Sequence, residues 1–165
     1  MDFAQARIDV INWITSFVEQ PHPALNNWPP CPFARRARLA GEFDLRQGIV
    51  DPYTDLMEVD LCGRAVIAYV YDRNHLTAQE FVRQVEQVNQ DCLIARDIIA
   101  LADHPDVPEE VMGVSMNQGT YAITFVQSLG KLNQFARSLD TNGYYHNWPE
   151  EYLKELFQFR EDPRP

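Results

Sequence analysis

A single thiol set among three prolines and three arginines is the first place in this chain that invites chemistry. Residues 26–38 read NNWPPCPFARRAR. A cysteine attacks only as its thiolate, and nearby guanidinium groups favour that form. Arg35, Arg36 and Arg38 follow Cys31 closely enough in sequence to do so. The pattern predicts Cys31 as a nucleophile or pocket wall, with Arg35, Arg36 and Arg38 pairing with the anionic end of a ligand. The competing expectation is a stiff turn that packs a small hydrophobe between Trp28 and Phe33, because free cysteine is among the most buried residue types.

The stretch DHPD, residues 103–106, places an imidazole between two carboxylates. A carboxylate bonded to one ring nitrogen fixes the tautomer and raises basicity at the other. His104 is therefore the candidate general base, with Asp106 as its catalytic partner. An adjacent trio of this kind rarely converges on one ion, so no metal is assigned. A solvated turn is the alternative. In MNQG, residues 116–119, Asn117 and Gln118 are candidate orienting donors, and Gly119 permits a positive φ. Tyr121, which opens the next strand, joins the candidate ligand-binding set. Glycine-rich phosphate loops and a G-x-S-x-G elbow are absent. The cluster Tyr144, Tyr145, His146, Trp148 and Tyr152 reads as packing that pins a C-terminal helix.

These groups need a scaffold, and 165 residues suffice for one domain over 1–165 with a real core. The 24 acidic side chains against 14 basic ones give a net charge of −10, which opposes nucleic-acid binding. No basic amphipathic helix or long apolar run supports membrane binding. The start, MDFAQARIDV, reads as a helix and not a signal peptide. Cys31, Cys62 and Cys92 have no paired spacing, which suggests free thiols in a reducing, cytoplasmic setting.

Asp2 is placed to cap a helix over 3–19 with Phe3, Ala6, Val10, Ile14 and Phe17 on one face. Short edge strands are expected over 45–50 and 56–61, with Asp51-Pro52 as the turn between them. The clearest strand lies in RAVIAYVYD, from residue 64. Thr77 and Glu80 form a capping box for a helix through Phe81, Val85 and Val88. Strands follow over 97–103 and 121–127. Ser128 then opens a helix that Asn142-Gly143 closes, and a last helix starts near Pro149. The expected fold class is α+β: one mixed or antiparallel sheet with helices mainly on one face. Its core would be a ferredoxin-like β-α-β-β-α unit with added N- and C-terminal helices.

Trp13, Cys31-Pro32-Phe33-Ala34 with Arg35, His104-Pro105-Asp106, Asn117 and the strand from Tyr121 resemble an uncharacterised bacterial family. That family carries L-N-L-C-P-F-A after an N-terminal helix and a later strand ending in H-P-D. Here Trp28-Pro29-Pro30 stands in place of the leucine-asparagine-leucine. The resemblance implies candidate positions and no reaction or cofactor.

Two functions follow as expectations. In one, the proline loop and the DHPD loop frame a Cys31/His104 pocket for a small anionic or amide-bearing metabolite. In the other, the chain is a non-catalytic module that uses a sheet edge or its aromatic patch to bind a protein or a second copy of itself.

Overall fold

The computed structural model describes residues 1–164. Helix α1, Phe3–Trp13, begins at Asp2, whose carboxylate accepts the Ala4 N–H at 3.0 Å. A π turn, Ile14–Val18, carries it on, and Ala6, Val10 and Ile14 form its buried face. After the proline loop come α2, Ala34–Leu39, and strand β1, Phe43–Gln47.

The next segment corrects the expectation of a turn and a second edge strand. Asp51 accepts the Thr54 N–H at 2.8 Å and Pro52 occupies the first helical position, so α3, Pro52–Leu56, forms instead. An Asp-Pro pair can start a helix as readily as it can end a strand, because proline lacks only a donor that the first turn leaves free.

Strand β2, Val66–Tyr71, leads to α4, Ala78–Val88, which starts at the Thr77/Glu80 capping box. The helix widens into a π turn at Asn89–Leu93, tightens to a 3-10 turn at Ile94–Arg96 and stops at Asp97, whose φ is 57°. Strand β3, Ile98–Asp103, follows. The two-residue strands β4, Glu110–Val111, and β5, Val114–Ser115, form a hairpin. Met112 and Gly113 at its tip have φ of 53° and 77°, the left-handed pair that a tight primed turn requires. Strand β6, Ala122–Ser128, runs into α5, Leu129–Thr141, capped by Ser128. The last helix is α6, Glu150–Leu156.

The main sheet has the order β1-β2-β6-β3, with β1 parallel to β2 and the other two pairs antiparallel. From β2 to α5 the chain follows the expected β-α-β-β-α order. The fourth strand precedes that core and lies parallel to it, an arrangement unlike an all-antiparallel ferredoxin-like sheet. The helices are not gathered mainly on one face. Ile67, Tyr69 and Tyr71 pack with Leu56, Phe81, Val85 and Val88 of α3 and α4. Ala68, Val70 and Ile123 pack with Ala6, Val10 and Ile14 on the opposite face. The physical reason lies in β2, an apolar run without alternation, which must be covered on both sides.

At Ala100 the outer edge of β3 is met by a side chain. Asn89, buried at the end of α4, accepts the Ala100 N–H and donates to the Ala100 carbonyl, both at 2.8 Å. Its amide thus stands in for a neighbouring strand. Among the described residues no helix is long and apolar enough to cross a membrane. Replacing Asn89 by alanine should strand two buried main-chain groups and lower stability by about 2–4 kcal/mol in urea unfolding. A loss below about 0.5 kcal/mol would show that the edge does not depend on this amide.

Candidate functional site

The proline loop folds down onto the C-terminal aromatic residues. The Tyr144 hydroxyl donates to the Pro30 carbonyl at 2.6 Å, and Trp28 meets the Tyr144 ring edge-on at 5.6 Å. Phe33 stacks on Phe135 of α5 with 4.1 Å between ring centroids. The Cys31 N–H donates to the Val18 carbonyl at 3.1 Å, tying the loop to the end of the first helix. The aromatic cluster therefore packs, as its composition suggests, and what it packs against is the loop that carries the thiol.

Cys31 is only partly exposed, and burial pushes its thiol above the ordinary cysteine range. The N–H groups of Phe33 and Ala34 and the charge of Arg160 act in the other direction without overcoming it. The arginines expected to activate the thiol are elsewhere. Arg35 and Arg36 sit on the exposed side of α2. Arg38 turns inward to the buried Glu19, forming Nε–Oε1 and Nη2–Oε2 hydrogen bonds of 2.6 and 2.8 Å. That bidentate pair binds α2 to the first helix and consumes the charge.

The cation that does reach Cys31 comes from the far end of the chain. Arg160 lies just after α6, with its guanidinium 5.0 Å above the Phe157 ring. Burial draws its pKa below the ordinary arginine range, while Tyr145, Cys31 and Tyr152 favour its charged form. None of these neighbours is a carboxylate. The Nε atom is buried and has no hydrogen-bond partner. Tyr145, which couples electrostatically to the guanidinium, also lines a hollow of about 300 Å³ with Asp140, His146, Trp148, Glu150, Leu153 and Arg164, so the hollow beside Arg160 carries two acids and a second arginine. Arg160 lay in a segment that the sequence marks only as the end of an aromatic helix. An arginine directly after FQF was the available signal.

His104 does not join this group. Its side chain is sealed from solvent and lies against Phe81, with 5.5 Å between ring centroids. Nδ1 accepts the Asp106 N–H at 3.1 Å, and Nε2 lies 3.2 Å from the Arg73 carbonyl. One nitrogen is used within the turn and the other across to the β2–α4 connection, which leaves none to take a substrate proton. Asp106 is exposed and its carboxylate pairs with Arg73. The interactions of Cys31, with Val18, Phe33, Ala34 and the charges of Arg160 and Glu19, and those of His104, with Arg73, Phe81 and Asp106, have no residue in common.

The MNQG amides are likewise spent on folding their own loop. Asn117 Oδ1 accepts the Glu109 N–H at 2.7 Å, while Nδ2 donates to Asp103 Oδ1 at 3.0 Å and to the Val107 carbonyl at 3.1 Å. Gln118 Oε1 accepts the N–H groups of Thr120 and Tyr121 at 2.8 and 2.9 Å. Gly119 has the positive φ, 86°, that the turn demands. The Tyr121 hydroxyl donates to Asp9 of α1 at 2.8 Å, which pushes its pKa up to about 12.

The organising residue of this loop is Asp103, which also accepts the Gln118 N–H at 3.0 Å. Burial raises its carboxyl pKa above the usual range. Glu109 is raised further, to about 7, by burial and by the charge of Asp103. The Tyr152 hydroxyl donates to Glu109 at 3.4 Å. Leu25 packs with Val111, Val114, Met116 and Tyr152. The segment before the proline loop thus meets the β4–β5 hairpin through Leu25, with Tyr152 of α6 beside them. Among the described residues no group of three or more His, Cys, Asp or Glu side chains is arranged to hold a metal ion. No known protein family, curated protein or solved structure matches the chain.

Two outcomes follow from these environments. Near neutral pH, iodoacetamide should label the exposed Cys62 first and Cys31 slowly, with Cys31 accelerating as alkali forms its thiolate. Faster labelling of Cys31 than Cys62 at pH 7 would contradict the raised thiol. For Glu109 the folded carboxyl titrates at about 7 against an ordinary 4.5, so the fold disfavours its ionised form. The resulting penalty is complete above about pH 7 and is relieved as pH falls toward the unfolded value. Glu109→Gln, which keeps an acceptor for Tyr152, should therefore stabilise the protein by about 1–2 kcal/mol at pH 8 and by little at pH 5. Equal effects at the two pH values would contradict the raised carboxyl.

Proposed function

We propose that this chain is a small-molecule-binding domain that holds a carboxylate-bearing ligand at Arg160, flanked by Cys31 and Tyr145. The observation that carries this is the buried Nε of Arg160, which has no partner in a guanidinium with no acid among its strongest neighbours. A desolvated charge left unpaired is costly, and a carboxylate meeting Nε and the adjacent Nη side by side would offset that cost through two parallel bonds. Tyr145 connects the guanidinium to the neighbouring hollow, where the body of a ligand can lie against Trp148 and Leu153. In this role Cys31 is a wall of the site, since burial keeps its thiol protonated. Binding, and not proton transfer, is the activity that these groups favour.

The resemblance carried by Cys31-Pro32-Phe33-Ala34 fits this reading, because it marks the loop that borders Arg160. Three free thiols suit a cytoplasmic location. The β-α-β-β-α core is read here as a ferredoxin-like unit whose fourth strand has been replaced.

Millimolar succinate or citrate should raise the melting temperature of the wild-type chain and slow Cys31 alkylation. Arg160→Met should melt higher than wild type without ligand, because an unpaired buried charge is exchanged for an apolar side chain. The same variant should lose both responses to carboxylate. A variant that responds like wild type, or a wild type indifferent to a panel of carboxylates, would refute the proposal.

A further inference from the structure

The two edges of the main sheet are finished differently. Asn89 plugs β3 by bonding both main-chain groups of Ala100. At β1, the Val66 N–H donates to the Glu42 carbonyl at 3.2 Å and the Gly48 N–H to the Val70 carbonyl at 2.9 Å. Even-numbered residues of this strand therefore address β2. Alternate residues of a strand turn their main-chain groups to opposite sides, so those of Phe43, Leu45 and Gln47 point away from the sheet. Among the described residues they bond to nothing else in the chain. A free edge of this kind is a template for another strand.

We propose that β1 pairs antiparallel with β1 of a second copy, about a twofold axis through Leu45. The two four-stranded sheets then become one continuous sheet. The sequence of the edge argues for self-pairing, because Asp44-Leu45-Arg46 is its own complement in this register. Asp44 falls opposite Arg46 of the second copy, and Arg46 opposite its Asp44. Opposite charges directly across an antiparallel pair are favourable, and a twofold interface makes the contact twice. Within one chain these two side chains already share the face outside α1, with Arg46 Nε 2.9 Å from Asp44. Beyond the strand ends, Ile49 and Val50, 80% and 51% exposed, and Leu39, 67% exposed, leave apolar side chains beside this edge. Pairing buries apolar side chains that the single chain leaves in water.

Sedimentation equilibrium of the full chain up to about 100 µM tests this directly. The wild type should dimerise. Gln47→Pro removes an outward donor and leaves the ladder to β2 intact, so it should give a monomer with unchanged far-UV circular dichroism. Asp44→Arg and Arg46→Asp should each weaken the dimer by about tenfold, and combining them should restore it. A monomeric wild type would overturn the inference. So would a dimer that survives Gln47→Pro, or a double variant no tighter than the single ones. None of these outcomes bears on Arg160, whose carboxylate response is read separately.

Discussion

A buried guanidinium nitrogen without a partner, Nε of Arg160, is the constraint around which the C-terminal segment of this protein is arranged. Arg160 is held over Phe157, and its charge is felt by Tyr145 and by Cys31, in a loop about 130 positions earlier in the chain. Each neighbour contributes something other than charge. Phe157 offers a ring face, Tyr145 a hydroxyl, and Cys31 a polarisable sulfur. The loop itself is fixed by Tyr144, which bonds the Pro30 carbonyl, and by Phe33 on Phe135. Rigid prolines and stacked rings lower the entropy that a site must lose on binding. An ordered cation and an ordered wall are thereby ready before any ligand arrives.

Beside this lies a second polar centre of opposite sign. Asp103, Asn117 and Glu109 fold the segment between β3 and β6, and Tyr152 joins that segment to α6. Burial pushes both carboxylates toward protonation, and the charge of Asp103 adds to this at Glu109. Tyr152 bonds Glu109 and also favours the charged form of Arg160, so it interacts with both the negative and the positive centre.

Much of the fold is legible in the sequence, because capping and periodicity are local physics. Asp2, Thr77-Glu80 and Ser128 cap the helices where they are expected to. The strongly apolar strands lie at β2, β3 and β6. The 51–61 segment misleads because Asp-Pro serves turns and helix starts alike, and Met112-Gly113 hides a hairpin in a sequence without the usual Asn-Gly. The candidate site is less legible for a different reason. Proximity in sequence suggests Arg35 and Arg36 for Cys31, but α2 turns them outward and commits Arg38 to Glu19. The DHPD and MNQG residues look reactive because they are polar, and they are polar because a tight loop must satisfy its own main chain. Arg160 acts across the fold, and no spacing in a linear chain announces that.

The most direct measurement is an NMR titration of the Arg160 Nε–Hε resonance, assigned by its loss in Arg160→Met, against a carboxylate such as succinate. A site awaiting an anion predicts a slowly exchanging Hε that moves downfield and saturates as the carboxylate binds. An Hε that exchanges rapidly with water and shows no saturable change would mean that the guanidinium is solvated, and the proposed binding site would not exist.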